Sequence, residues 1–354
     1  MKKLTSIILS IILIFSVSAV NTSAGTDKAS DLDGIISALN AVEPAKEQMG
    51  LSGVDFYELT YSDSVMAYDY TDKGLVFNSE FIPIKYEERV IGWVIKKLSD
   101  GEVFYQFTTA FAQEVNRIAD DDTEFAIIYG YDASYLYDGK EIYTIGKVSI
   151  PVEGRSVLEG SEQIEDKNAI LQSISSSYEL SYSNPYLNAR LPVYFSCNVK
   201  YVSQPKDSLL CWAASAACIV NYLNNIDLRA DDVAIKWFKT TNYSEYNKGL
   251  VSGLQDDVLE MYEVSYTYKN KIPSSDILLR NIQGKYPVFA TFRHDSSYHD
   301  VVIYGVNIMS GVTYIMDPEY GFCSSSNSSS NICTYVSGYS GVTLTLDSAT
   351  CMYW

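Results

Sequence analysis

Two kinds of hydrophobic periodicity take turns along this chain. Helical spacing through Leu32, Ile35, Ile36 and Leu39 predicts a helix over 31–49. Strand-like runs follow at 54–60, 75–86, 90–98 and 102–109, then a short helix near 110–118, then strands at 124–131 and 141–148. Residues 153–190 are rich in Glu, Ser, Asn and Tyr, have weak periodicity, and read as a linker. Beyond them the order changes. Helices come first, at Cys211–Asn224, 231–238, 254–262 and 274–282, and strands come after, at 287–293, 300–308, 312–316 and 342–346. The pattern predicts a small α+β domain over 25–152, a linker over 153–190, and a second α+β domain over 191–354 whose helical half precedes an antiparallel sheet half.

The first apolar run differs in kind. Met1-Lys2-Lys3 leads into a stretch from Leu4 to Val20 broken only by Ser and Thr, after which Val17-Ser18-Ala19 and Thr22-Ser23-Ala24 both suit cleavage. This is the pattern of a secretory signal over 1–24. A run of about 17 residues is short for a spanning anchor. No later segment approaches that length, so the expectation is a secreted, extracellular protein with no stable membrane association once the signal is cut.

Charge sharpens the division. The chain has 26 Lys+Arg against 44 Asp+Glu, a net of −18, which argues against a nucleic-acid partner. Residues 25–190 carry −16 and residues 191–354 only −4, with Lys2 and Lys3 supplying the remaining +2. The acidic half contains no cysteine, no histidine and no Gly-rich phosphate loop, and shows no catalytic constellation. All six cysteines, from Cys197 to Cys351, lie in the second half, together with the two histidines, His294 and His299. Cys218 falls in an apolar helical pattern and reads as a core thiol. A bridge between Cys323 and Cys333 would close around the Ser-rich stretch 324–330, although spacing alone does not set connectivity.

The chemistry gathers at two places. Gln204-Pro205-Lys206-Asp207-Ser208-Leu209-Leu210-Cys211-Trp212-Ala213-Ala214-Ser215 puts a cysteine at the start of an Ala-rich helix, where free N–H groups and the helix dipole favour a thiolate. The alanines let that helix lie close against a sheet. Trp212 beside the nucleophile suits both shielding the site and filling the core. Tyr298-His299-Asp300-Val301-Val302 then opens an apolar strand, and the next strand ends in Met316-Asp317-Pro318. A strand-initial His and a strand-terminal Asp can meet across an antiparallel pair. Asp317 would then orient the imidazole while its other nitrogen faces Cys211, the arrangement that acyl transfer requires. His294 is the rival base, and Asp300 and Asn307 are weaker orienters, Asp300 because adjacent strand residues face opposite ways.

With those residues in view, the second half resembles a papain-like cysteine peptidase. It looks closest to short secreted bacterial members of the staphopain and streptopain types, over about residues 195–320. The resemblance implies Cys211 as nucleophile, His299 as base and acid, Asp317 as orienter, and Gln204 as donor to the oxyanion. Six residues separate Gln204 from Cys211, one more than the commonest spacing in that family. It further implies protein or peptide substrates, a zymogen, and an inhibitory or folding-assisting propeptide in residues 25–152, with the mature enzyme starting between Gly154 and Lys200. A Cys-dependent acyltransferase, amidase or transglutaminase-like enzyme would use the same pair, and a non-catalytic secreted binding protein on the same scaffold is the remaining alternative. No cofactor is expected. Nor is a metal: there is no CxxC and no HExxH, and the acidic runs at Asp120-Asp121-Asp122 and Asp231-Asp232 lack a calcium-loop pattern.

Overall fold

The computed structural model describes residues 28–47, 49–99, 102–118, 123–147, 152–164, 167–174, 178–180, 194–268, 271–308, 311–325, 333–338 and 340–352. The signal segment 1–24, the Asp120–Asp122 run and most of the Ser-rich stretch lie outside the described residues.

In the N-terminal half, strands Val65–Thr71, Gly74–Tyr86, Arg89–Ser99 and Glu102–Thr108 form an antiparallel meander. The turn from Tyr86 to Arg89 places Glu87 and Glu88 at φ 48° and 65°, the left-handed pair that matches strand twist in a two-residue hairpin. Strand Glu124–Tyr129 joins the sheet in parallel beside Val65–Thr71, and Ala133–Tyr137 and Ile142–Lys147 extend it. The first helix spans Lys28–Val42, shorter than the apolar spacing suggests, and passes into a single 3-10 turn at Glu43–Ala45. Pro44 carries no N–H to continue the α-helix. The segment expected to be a linker is partly built into this sheet. Gln172–Ser173 pairs with Glu124 and Phe125, Tyr178–Glu179 pairs with Thr60 and Tyr61, and Arg155 meets Asp69 at 2.6 Å.

In the C-terminal half, helices Cys211–Asn224 and Ser275–Gln283 pack against a second antiparallel set, in which Ser297–Asn307 lies between Val288–His294 and Thr313–Asp317. Gly321–Ser324 and Thr343–Cys351 continue that set outward. The expected strands and helices of this half are all present, shifted by a few residues at their ends, with Thr343–Cys351 running further than expected.

The two halves are continuous. Thr108 pairs with Cys323, and Thr109 donates to the Phe322 carbonyl through both its N–H and its hydroxyl. Leu39, Val42, Phe56, Ile84 and Phe107 share one buried apolar cluster with Trp212, Ile303, Tyr314 and Leu344. Each such side chain is worth about 1.5–3 kcal/mol when buried. Separating the halves would therefore cost far more than the ~1 kcal/mol of any one hydrogen bond across the seam.

Candidate active site

Helix Cys211–Asn224 is buried along nearly its whole length, from Trp212 to Asn221. Ala213, Ala214, Ala216 and Ala217 favour the helix and keep its surface low, so it lies directly on strand Ser297–Asn307. Ser215 locks the register by donating its hydroxyl to the Asp300 carbonyl at 3.0 Å. Cys211 is four residues earlier and so on the same face of the helix, which aims it at His299, the neighbour of Asp300. The helix ends at Asn225, which adopts a left-handed conformation at φ 51°.

His299 and Asp317 meet for the reason their positions suggested. Val302 pairs with Met316, so Asp317 falls beside Val301, and His299 projects from the same face two residues along. His299 Nε2 donates to Asp317 Oδ1 at 2.8 Å, with both side chains almost fully buried. Cys211 hydrogen-bonds the same imidazole, and Nδ1 is the nitrogen that Asp317 leaves for it. Burial works to lower the imidazole pKa, but the Asp317 charge and hydrogen bond, joined by Cys211, outweigh it and hold it well above the usual 6.5.

Asp317 has every oxygen occupied. Oδ1 also accepts the Glu319 N–H at 2.9 Å, and Oδ2 accepts the Tyr335 hydroxyl at 2.8 Å. The Tyr320 ring lies against His299, with centroids 6.0 Å apart. Neither tyrosine stands out in the sequence. Tyr335 sits in an ordinary strand triplet, Thr334–Val336, and only the fold brings it to Asp317.

Gln204 is beside the site but turned toward its own loop. Its Nε2 donates to Ser208 O at 3.1 Å, and its Oε1 is buried without a partner. The residue beyond the commonest spacing is accommodated in a turn over Pro205–Ser208, with Asp207 left-handed at φ 62°. One Nε2 N–H remains for an incoming oxygen. The Gln204 N–H and the Tyr201 hydroxyl both donate to Pro318 O, tying this loop to the Asp317 turn. At the helix start, Ala214 is the first residue whose N–H turns back, to Leu210, and the N–H groups before it, Cys211's included, have no intrahelical carbonyl.

The other candidates separate cleanly. His294 lies at a hairpin end, with Nδ1 on Thr343 O and Nε2 3.5 Å from Asp295, away from Cys211. Asp300 faces the opposite way and accepts the Thr291 hydroxyl at 2.6 Å. Asn307 is eight residues along the strand, roughly 26 Å from His299. Trp212 is core: its indole N–H donates to Lys248 O and its ring packs on Trp237 and Phe238. All six cysteines are free. Burial pushes the Cys197 and Cys351 thiols up to about 12 and Cys333 to about 11, and raises those of Cys218 and Cys323 as well. Cys218 is a core thiol, its Sγ on Lys200 O. No group of three or more potential metal ligands occurs among the described residues.

Residues 193–336, about two-fifths of the chain, match the family model described as the papain-like cysteine protease AvrRpt2. The match spans Gln204, Cys211, His299, Asp317 and Tyr335. It bears on the papain-like class and leaves the narrower likeness to staphopain and streptopain unaddressed. A search of curated proteins finds no match to this chain.

Proposed function

Residues 193–336 being a papain-like cysteine peptidase domain, we propose that this chain is a secreted cysteine endopeptidase that works through Cys211, His299 and Asp317. One observation carries the reading: a buried imidazole held between a carboxylate at 2.8 Å and a partly exposed thiol at a helix start. His299 Nδ1 takes the Cys211 proton and the sulfur attacks the scissile carbonyl. The oxyanion meets the Cys211 N–H and the free Nε2 N–H of Gln204. His299 then protonates the leaving amine, and water, activated by the same imidazole, releases the acyl group from sulfur. Asp317 keeps Nε2 protonated and the ring fixed throughout.

The N-terminal residues fit the same reading. The signal-like start supports export. Residues 25–152, acidic and without a catalytic constellation, serve as a propeptide-like unit, and processing falls between Gly154 and Lys200. The shared core supports a folding-assisting role for that unit, since chain scission leaves its pairing and packing in place. The test is hydrolysis of denatured protein by the secreted chain and by Cys211→Ala. Activity in the unaltered chain, abolished by the substitution, supports the mechanism. Retained peptide hydrolysis in Cys211→Ala overturns it. Mass spectrometry of the active secreted form should find an N-terminus between 154 and 200; an active form that keeps residues 25–152 in the same chain removes the zymogen reading.

A further inference from the structure

The Asp317 carboxylate is held by a residue that is in turn held from the other half of the molecule. Tyr335 is buried, stacks edge-on against Phe292 at 5.0 Å, and donates to Asp317 Oδ2 at 2.8 Å. Burial and the nearby carboxylate keep its hydroxyl protonated, and so a donor, throughout the working range. The next residue, Val336, is gripped by a single side chain: its N–H donates to Gln106 Oε1 at 2.8 Å and its carbonyl accepts from Gln106 Nε2 at 2.9 Å. Gln106 is fully buried on strand Glu102–Thr108, the strand whose end pairs with Cys323 just after the Asp317 turn. A carboxamide that takes both backbone groups of one residue stands in for a neighbouring strand, and fixes that residue in position and direction.

We propose that Tyr335 is a positioning residue for the Asp317–His299 pair, and that Gln106 of the N-terminal half holds it in place. The proposal rests on the Cys211, His299 and Asp317 reading above and adds a role for the acidic half, whose strand braces the catalytic carboxylate. The positive end of the phenol O–H offsets part of the carboxylate charge that His299 experiences. Without it, Oδ2 is left buried with no donor, the carboxylate can rotate, and the imidazolium faces the undiminished charge.

The test uses the whole protein with both halves present, cut between 154 and 200 for the kinetics, and carrying His294→Gln so that His299 is the one imidazole seen by nitrogen NMR. Tyr335→Phe should lower kcat on the order of tenfold, as a small misplacement of a catalytic group does, leave KM unchanged, and move the His299 titration upward. Gln106→Met should give the same signature, and should add nothing in a chain that already carries Tyr335→Phe. In the unaltered chain the Val336 amide should exchange slowly, a readout that needs no variant to fold. An unmoved titration and kcat in Tyr335→Phe overturn the role of Tyr335. Full additivity, or a fast-exchanging Val336 amide, overturns the role of Gln106. The titration needs no substrate. Activity surviving Cys211→Ala therefore counts against the proposed mechanism, while an unmoved His299 titration counts against this positioning role alone.

Discussion

In the N-terminal half, Lys85 ends on the Ile174 carbonyl, Lys97 on the Gly341 carbonyl, and Gln106 on both backbone groups of Val336. In the C-terminal half, His299, Asp317 and Tyr335 end on one another's side chains. Both sets are largely removed from water, and each satisfies the requirement that a buried polar group find a partner. The partners differ in what they can do. A backbone carbonyl fixes where a side chain lies, whereas a titratable partner also fixes how many protons it holds. Lys85, Lys97 and Gln106 thus fix position, His299, Asp317 and Tyr335 also fix protons, and the two sets meet at the Tyr335–Val336 step.

The largest expected effect sets one half against the other. His299→Ala should lower kcat/KM by at least about a hundredfold, and should cost about 3 kcal/mol in urea unfolding because Asp317 stays buried without its cation. Lys85→Met should shift the urea midpoint and leave kcat/KM alone; a matching loss of activity would erase the distinction. Next in size is the seam. A protease site placed within 181–193 should yield two fragments that co-elute on a sizing column, held by the core around Leu39, Phe107 and Tyr314. Their separation on cutting would show the halves to be merely adjacent.

Alkaline pH should act on the halves with opposite signs. The folded pKa of His299 is raised, so its contribution to stability is complete below about 6.5 and is lost as pH climbs through the higher folded value. Burial lowers the Lys97 pKa from 10.5 to about 8, so its penalty is full below about 8 and is relieved as pH rises toward 10.5. Urea midpoints against pH in His299→Ala and Lys97→Met, each compared with the unaltered chain, should therefore diverge with opposite slopes. The smallest effect belongs to Tyr314→Phe, which removes the 2.6 Å bond to the Ala41 carbonyl across the seam. It should cost about 1 kcal/mol with kcat/KM unchanged.

Much of the C-terminal half is legible from residue order because its signals are local. The Cys211–Asn224 helix announces itself through its alanines, and the neighbourhood of His299 and Asp317 follows from one hairpin register. The N-terminal half is less transparent. Strand Ala133–Tyr137 is buried on both faces, so it shows no alternation, and Val65–Thr71 carries Ala and Asp where a strand signal wants branched residues. The Glu87-Glu88 turn lacks the Asn-Gly that marks such hairpins. Tyr335, Tyr320 and Gln106 reach the site through contacts between positions far apart in the chain, and no periodicity encodes those. Gln204 shows the converse case: its type and place suggest an oxyanion donor, but the turn after it commits one of its N–H groups to Ser208.

On this mechanism Asp317 governs the charge of a buried His299 facing Cys211, and a chain with two histidines makes that directly measurable. With His294→Gln in place, a nitrogen NMR titration follows His299 alone. The imidazole should titrate well above 6.5, and in Asp317→Asn, where burial remains and the charge is gone, it should fall to below that value. A His299 that titrates near 6.5 and does not respond to Asp317→Asn would contradict the claim.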